Sequence, residues 1–425
     1  MLAIFHSNHC LADDNNVITL PEGLRRATDN NHLIKIASIS KDIASADTSA
    51  ARSGLLPSIN ASLNQTYLAS QPGARFGSVK AFLAEKDSLS YGINIYQTIY
   101  DFGANLSRYE ASKTVLDVTK LDIVRIKNLV ALDFINAYFD LLETEKMVLV
   151  AQEEAERFES HLKVAQSLYD EGVITRSDLL QAEVMLSDAK QRLLTMKNRR
   201  SFNSSNINNI LARPIYAPVQ VVDVPTGTSE VVELEKAWDM AEKERSEIKI
   251  IDNQLRVLDF QETAARSGYY PTLFAQGGYN YKENRYEFPS ENWSLILGVN
   301  LNVFSGGSTK AEVSKVLYQR QQLLEQKRKL IDDIKLEVEK NYLDLKNALE
   351  KIQVTKDAVG QAEDNLRINK IRYEEGVGMS TDVVDAITLL TTAETNYYRA
   401  VYELQRARAG LQYAIGLDLV SMYSY

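Results

Sequence analysis

The sequence predicts a mainly α chain that also carries a few membrane-type β-strands, and three observations predict it. Proline is absent from two long stretches, hydrophobic residues inside them recur with a heptad step, and the whole pattern occurs twice. Prolines fall at 21, 57, 72, 214, 218, 225, 271 and 289, leaving 104–213 and 290–425 free of them. Proline breaks helix interiors, so these are the stretches where long helices can run. Between Gly103 and Gly227 the only glycine is Gly172.

Within the second stretch Ile331, Ile334, Val338, Leu345, Ala348, Ile352, Val359, Ala362 and Leu366 follow alternating steps of three and four. An ordinary amphipathic helix does not hold that period so long; a coiled-coil seam does. Set back by 204 positions (Tyr373 to Tyr169), the seam reappears as Val130, Phe134, Ala137, Leu141, Val148, Ala151, Ala155, Phe158, Leu162 and Ala165. At the same offset Tyr169-Asp-Glu-Gly-Val pairs with Tyr373-Glu-Glu-Gly-Val, and Ser177-Asp-Leu-Leu-Gln-Ala pairs with Thr381-Asp-Val-Val-Asp-Ala. Upstream, Ala50-Ala-Arg-Ser-Gly-Leu-Leu-Pro57 matches Ala264-Ala-Arg-Ser-Gly-Tyr-Tyr-Pro271. The chain is therefore read as a first repeat over 18–213, a linker over 214–229, a second repeat over 230–417 and a tail over 418–425.

Each repeat is expected to open with one helix, about 22–53 or 230–268, stopped by Ser-Gly-x-x-Pro. Two strands follow, about 57–68 and 88–102, then 271–283 and 292–304. Leu89, Tyr91, Ile93 and Ile95 alternate with Ser90, Gly92 and Asn94; Trp293, Leu295, Leu297, Val299, Leu301 and Val303 alternate with Ser294, Gly298, Asn300 and Asn302. Such alternation fits a membrane barrel strand and equally a soluble antiparallel sheet with one wet face. Asp101-Phe-Gly and Ser305-Gly-Gly turn the chain into the long helices, about 104–168 and 308–375, each about 100 Å at the usual rise. Return helices of about 37 residues begin at Ser177-Asp178 and Thr381-Asp382. Four strands cannot close a barrel, and hydrocarbon tolerates no open edge. Strands of this kind in a membrane require several copies to share one cylinder.

A net charge of −9 argues against nucleic acid as a partner. One cysteine, Cys10, rules out an internal disulfide framework, and His6, His9, His32 and His161 show no metal-binding spacing. No P-loop, dinucleotide fingerprint, nucleophile elbow or zinc-protease helix is present, so an enzyme is not expected. Residues 1–17 read as a signal-peptide remnant or a disordered N-terminus: a small-residue cleavage site could lie before Asp13, but the basic n-region and full h-region are missing and there is no convincing lipobox.

The duplicated Ala-Ala-Arg-Ser-Gly-x-x-Pro, the Asp-Phe-Gly and Ser-Gly-Gly turns and the paired Glu-Gly-Val elbows resemble the TolC-like outer-membrane efflux protein family, over about 18–417. That resemblance implies a homotrimer in the Gram-negative outer membrane: a 12-helix coiled-coil tunnel through the periplasm, continuous with a 12-stranded β-barrel shared by three protomers. The linker and tail would form an equatorial belt. The partners it implies are outer-membrane lipid, a periplasmic adaptor (membrane fusion) protein and an inner-membrane pump of the RND, ABC or MFS type, with no cofactor. By motif, Asp382 and Asp385 match the family's pore-narrowing aspartates, and Tyr373 and Asp178 its closing links. Gly378 stands where a basic gate residue is common; Arg372 or Arg176 is the candidate substitute. The plainer roles are helix caps for Asp178 and Asp382, a solvated face for Asp385 and packing for Tyr373. The competing function is a soluble or surface-attached coiled-coil scaffold.

Overall fold

The computed structural model describes residues 17–224 and 232–423. The proposed signal remnant, with Cys10, His6 and His9, thus lies outside the described residues but for Val17, and so does the end of the linker.

In chain order the first repeat contains β1 (Val17–Ile18), α1 (Leu20–Asn30), α2 (His32–Ser53), β2 (Ser58–Tyr67), β3 (Gly73–Phe76), β4 (Val79–Phe82), β5 (Asp87–Tyr100), α3 (Ala104–Asp170) and α4 (Arg176–Ile210). After β6 (Gln220–Val221) come α5 (Leu234–Glu244), α6 (Ser246–Arg266), a 3₁₀ turn, β7 (Thr272–Lys282), β8 (Glu291–Asn300), α7 (Ser308–Glu374), α8 (Ser380–Ala414) and α9 (Leu419–Met422). The repeat is exact in length where the seam runs: α3 and α7 have 67 residues each, α4 and α8 have 35 each.

Three expectations change. The opening helices are broken, at Asn31 and Arg245. Asn31 accepts the Leu33 amide on its Oδ1 at 2.8 Å, so its side chain starts a new helix as an N-cap does. Arg245 is buried, donating to the Ala414 carbonyl at 3.3 Å and pairing with Glu337 at 3.0 Å. The first repeat also carries a hairpin, β3–β4, with no counterpart in the second. Finally, β8 ends at Asn300, so Leu301 and Val303 lie outside the strand.

The chain forms two compact units, each drawing on both repeats. One comprises the chain up to Ile36, Ile123–Ser246 and the part from Ile331 onward. Its core gathers Ile18, Leu24, Val130, Phe134, Tyr138, Leu141, Ile207 and Tyr402, closed by Val219 from the linker and Leu419 from the tail. Linker and N-terminus meet as a parallel pair, β1 with β6, and the Tyr138 hydroxyl donates to the Val222 carbonyl at 2.6 Å. Farther along, the seam residues Phe158, Val338, Leu345, Ala348 and Ala362 are buried as the heptad pattern requires.

Helix–helix register in this unit is reinforced by forked ion pairs. Arg157 of α3 binds both Glu394 carboxylate oxygens on α8 at 2.7 and 2.8 Å. Arg192 of α4 does the same with Glu154 of α3, at 2.8 and 3.0 Å. Bidentate guanidinium–carboxylate pairs fix geometry as well as contributing energy.

The other unit, Ala37–Asp122 with Glu247–Leu330, is organised around one antiparallel sheet in the order β2-β5-β7-β8. Its central pairing sets Gly92 opposite Asn280 and Asn94 opposite Gly278. A Cβ on Gly92 would come within 2.2 Å of the Asn280 amide oxygen, and one on Gly278 equally close to that of Asn94. The glycines are there to admit the asparagines. At the entrance to α3, Phe102 adopts φ +53°, the left-handed region that glycine occupies at the matching Gly306, φ +63°. Its ring stacks on Tyr270 at 4.7 Å, which offsets part of that backbone strain.

Candidate functional site

Two regions carry the features that the sequence singled out, and each lies within one unit. The first is the sheet. Strand register puts Ile59 and Leu63 of β2, Tyr91, Ile93 and Ile95 of β5, and Trp293, Leu295, Leu297 and Val299 of β8 on one face. Among the described residues nothing covers that face: Leu63, Trp293, Leu295 and Leu297 are 71–78% exposed. A soluble sheet buries its apolar side; here the apolar side is the bare one. Both outer strands, β2 and β8, are also unpaired along their outer edges among the described residues. Ten-residue edges of this kind are templates for pairing with another chain.

The second region comprises the two elbows, between α3 and α4 and between α7 and α8. Each long helix ends through a glycine with positive φ, +76° at Gly172 and +73° at Gly376. Val173 and Val377 amides return to the Leu168 and Arg372 carbonyls at 2.8 and 3.0 Å, satisfying orphan carbonyls as in a Schellman close. Gly378 is tight as well: a Cβ would meet the Arg372 carbonyl carbon and the Tyr373 nitrogen at 3.1 Å. A basic side chain at 378 would therefore need the elbow to shift. Arg372 and Arg176 are both exposed.

The return helices are capped two residues earlier than the sequence suggested, at Thr175 and Met379 rather than at Ser177 and Thr381. Thr175 is the N-cap of α4, and Asp178 completes a capping box, accepting from the Thr175 amide at 3.0 Å and its hydroxyl at 2.8 Å. At α8, Asp382 accepts from the Met379 amide at 3.3 Å. Asp385, one turn on, is exposed, whereas Asp382 is half-buried. Tyr373 is buried with Phe158, Val383, Val384 and Ile387, and its hydroxyl has no hydrogen-bond partner of good geometry. Burial raises its pKa, and the nearby Asp178 charge adds to that rise.

Sequence reading passed over one member of this cluster. His161, 5% exposed, meets the Ser380 hydroxyl at 2.9 Å and the Tyr373 ring at 5.1 Å. Burial lowers its pKa to about 4. His161 and Tyr373 border a cavity of about 380 Å³ whose rim adds Arg157, Lys370 and Glu374. The only signal in the sequence was a lone histidine beside the Phe158–Leu162 seam positions, and a lone histidine there reads as packing.

An uncovered apolar sheet face with two outer strand edges unpaired among the described residues, joined in sequence to long coiled-coil helices, defines a class: a subunit of a membrane channel. The chain belongs to the outer membrane efflux protein family, whose sequence model matches residues 23–213 and 238–417. Among its relatives are outer membrane protein TolC of Vibrio cholerae serotype O1, 23% identical over 93% of this chain and 90% of that protein, and alkaline protease secretion protein AprF of Pseudomonas aeruginosa, 21% identical over 79% and 72%. The fold matches the outer-membrane channel OprN with a TM-score of 0.82 at 16% identity, over 96% of this chain and 91% of that one. It matches the Campylobacter jejuni CmeC outer membrane channel at 0.83, 16% identical, over 93% and 85%. The protein is an outer-membrane exit duct of a Gram-negative bacterium, acting in efflux or secretion. The scaffold alternative fails on both counts, family and bare apolar sheet.

Proposed function

We propose that three copies of this chain form one duct, each giving its four-stranded sheet to a common barrel and its long helices to a common tunnel. The observation that carries this reading is the sheet: four strands, two open edges and an uncovered apolar face cannot persist in lipid unless copies close on one another. A periplasmic adaptor and an inner-membrane pump supply cargo and energy, because the chain itself is a passive conduit. Light scattering of the detergent-extracted protein should give three times the 47.9 kDa of one chain. A water-soluble monomer needing no detergent would end the proposal.

In this duct the elbows close the tunnel. Asp382 and Asp385, three apart on α8, face one way and stack two rings of carboxylates in the trimer, attracting cations. Tyr373 and Asp178 hold the two elbows against each other, a role supported by the electrostatic influence of Asp178 on Tyr373. Replacing Asp382 and Asp385 together by alanine should reduce cation preference in planar-bilayer recordings; unchanged selectivity would remove them from the lumen. The Tyr373→Ala, Asp178→Ala pair should raise conductance, and a channel as closed as the parent would show that the gate lies elsewhere.

A further inference from the structure

A second cavity, of about 160 Å³, lies among α3, α4 and α8, starting about one helical turn beyond the elbow cavity on α8. Its charged wall is unbalanced. Glu143 and Glu154 line it, but each already holds a guanidinium: Glu143 that of Arg406 at 2.6 Å, Glu154 that of Arg192 at 2.8 Å. Arg199 and Arg399 also line it, and neither makes an ion pair among the described residues. Arg199 acts electrostatically on Asp140, which is itself bonded to Arg406 at 2.8 Å. The Thr391 hydroxyl lines the same cavity, buried and without a hydrogen-bond partner among the described residues. Its neighbours on α8, Thr388 and Thr392, do bond back to the carbonyls four residues earlier, at 2.9 and 2.8 Å, so the helix itself offers an outlet that Thr391 does not use. A buried unsatisfied hydroxyl is costly and calls for a ligand or water to complete it. Met147, Val150 and Met196 add an apolar, adaptable part of the wall, beside Thr144 and Thr395.

We propose that this cavity binds an amphipathic carboxylate. Arg199 and Arg399 take the carboxylate oxygens, the Thr391 hydroxyl donates a third hydrogen bond, and the methionines enclose a short alkyl body. Two guanidiniums supply the planar forked donors that a carboxylate fits, and the size suits an acid of a few carbons rather than a large hydrophobe. As a binding site the assignment stands on the single chain. As a resting place for departing cargo it rests on the duct reading: Arg399 lies 14 residues, two heptads, beyond Asp385 on the same face of α8.

The test is calorimetry on the full-length, detergent-extracted protein with sodium hexanoate, and with hexanamide as the uncharged isostere. Hexanoate should bind saturably and at least about tenfold more tightly than hexanamide, the contrast expected when charge-assisted hydrogen bonds are lost. The Arg199→Gln, Arg399→Gln double variant should weaken hexanoate at least about tenfold while leaving hexanamide and the melting temperature unchanged. Thr391→Val should weaken hexanoate by a smaller factor. Equal binding of the two ligands, or hexanoate affinity indifferent to the double substitution, overturns the proposal. Light scattering and conductance on the same preparation report the duct separately, so a channel that works without binding hexanoate refutes the site alone.

Discussion

Acidification should selectively weaken the elbow cluster through His161. The folded protein holds this imidazole neutral, with a pKa near 4 against an ordinary 6.5. Its partner is Ser380, the first residue of α8, and the charged groups around the same cavity are Arg157, Glu153, Glu156, Lys370 and Glu374. Because the folded state binds the proton less readily than the unfolded chain, stability is intact above about pH 6.5 and declines as the pH falls toward 4. Between pH 7 and pH 5 that depression corresponds to about 2 kcal/mol per chain, and the full decline to about 3 kcal/mol. The assay is urea denaturation followed by circular dichroism at pH steps from 7.5 to 4.5, comparing the parent with His161→Leu. The variant loses the Ser380 contact at every pH, a constant offset, but the parent's extra acid sensitivity should vanish. The two stability–pH curves must therefore converge as the pH drops. Parallel curves, or an imidazole that titrates near 6.5 by NMR, would refute the reasoning.

Other substitutions probe packing and charge. At the Glu154–Arg192 pair, the carboxylate side chain is 4% exposed and the guanidinium 48%. Arg192→Ala strands a buried charge and should cost about 3–5 kcal/mol; Glu154→Ala frees an arginine that water can reach and should cost clearly less in the same denaturation assay. Gly23→Ala ought to stabilise a helix by about 1 kcal/mol, yet its Cβ would fall 2.1 Å from Cζ of fully buried Phe134. The expected outcome is therefore destabilisation, read as a lower urea midpoint. Phe102→Gly relieves about 1 kcal/mol of left-handed strain and gives up a stack on Tyr270 of similar size, so the thermal midpoint should scarcely move.

Much of the fold was legible because its rules are local. Alternation in β5 and β8, the Gly-Val elbows and the seam from Ile331 to Leu366 each depend on residues within a few positions of one another. The broken opening helices were less so. Asn31 breaks the first through its own side chain, yet one of its partners is the Ile210 carbonyl, 179 positions away. Arg245 carries no turn signal at all; what holds it is Ala414 and Glu337. The β3–β4 hairpin lay in the ten-residue difference between the repeat offsets and showed no alternation strong enough to announce it.

The candidate site divides in the same way. Asp178, Asp382, Asp385 and Tyr373 could be named because the repeat aligns them, but their surroundings could not. Sequence by itself determined the duplicated helix–strand–strand–helix–helix plan and the two-faced strands, since periodicity and turn chemistry act between near neighbours. Only the tertiary structure decided that the apolar sheet face is uncovered, that Asp178 serves its own capping box, and that His161 and the Thr391 hydroxyl are buried. Burial, hydrogen-bond satisfaction and the resulting pKa arise from segments far apart in the chain, and no local pattern encodes them.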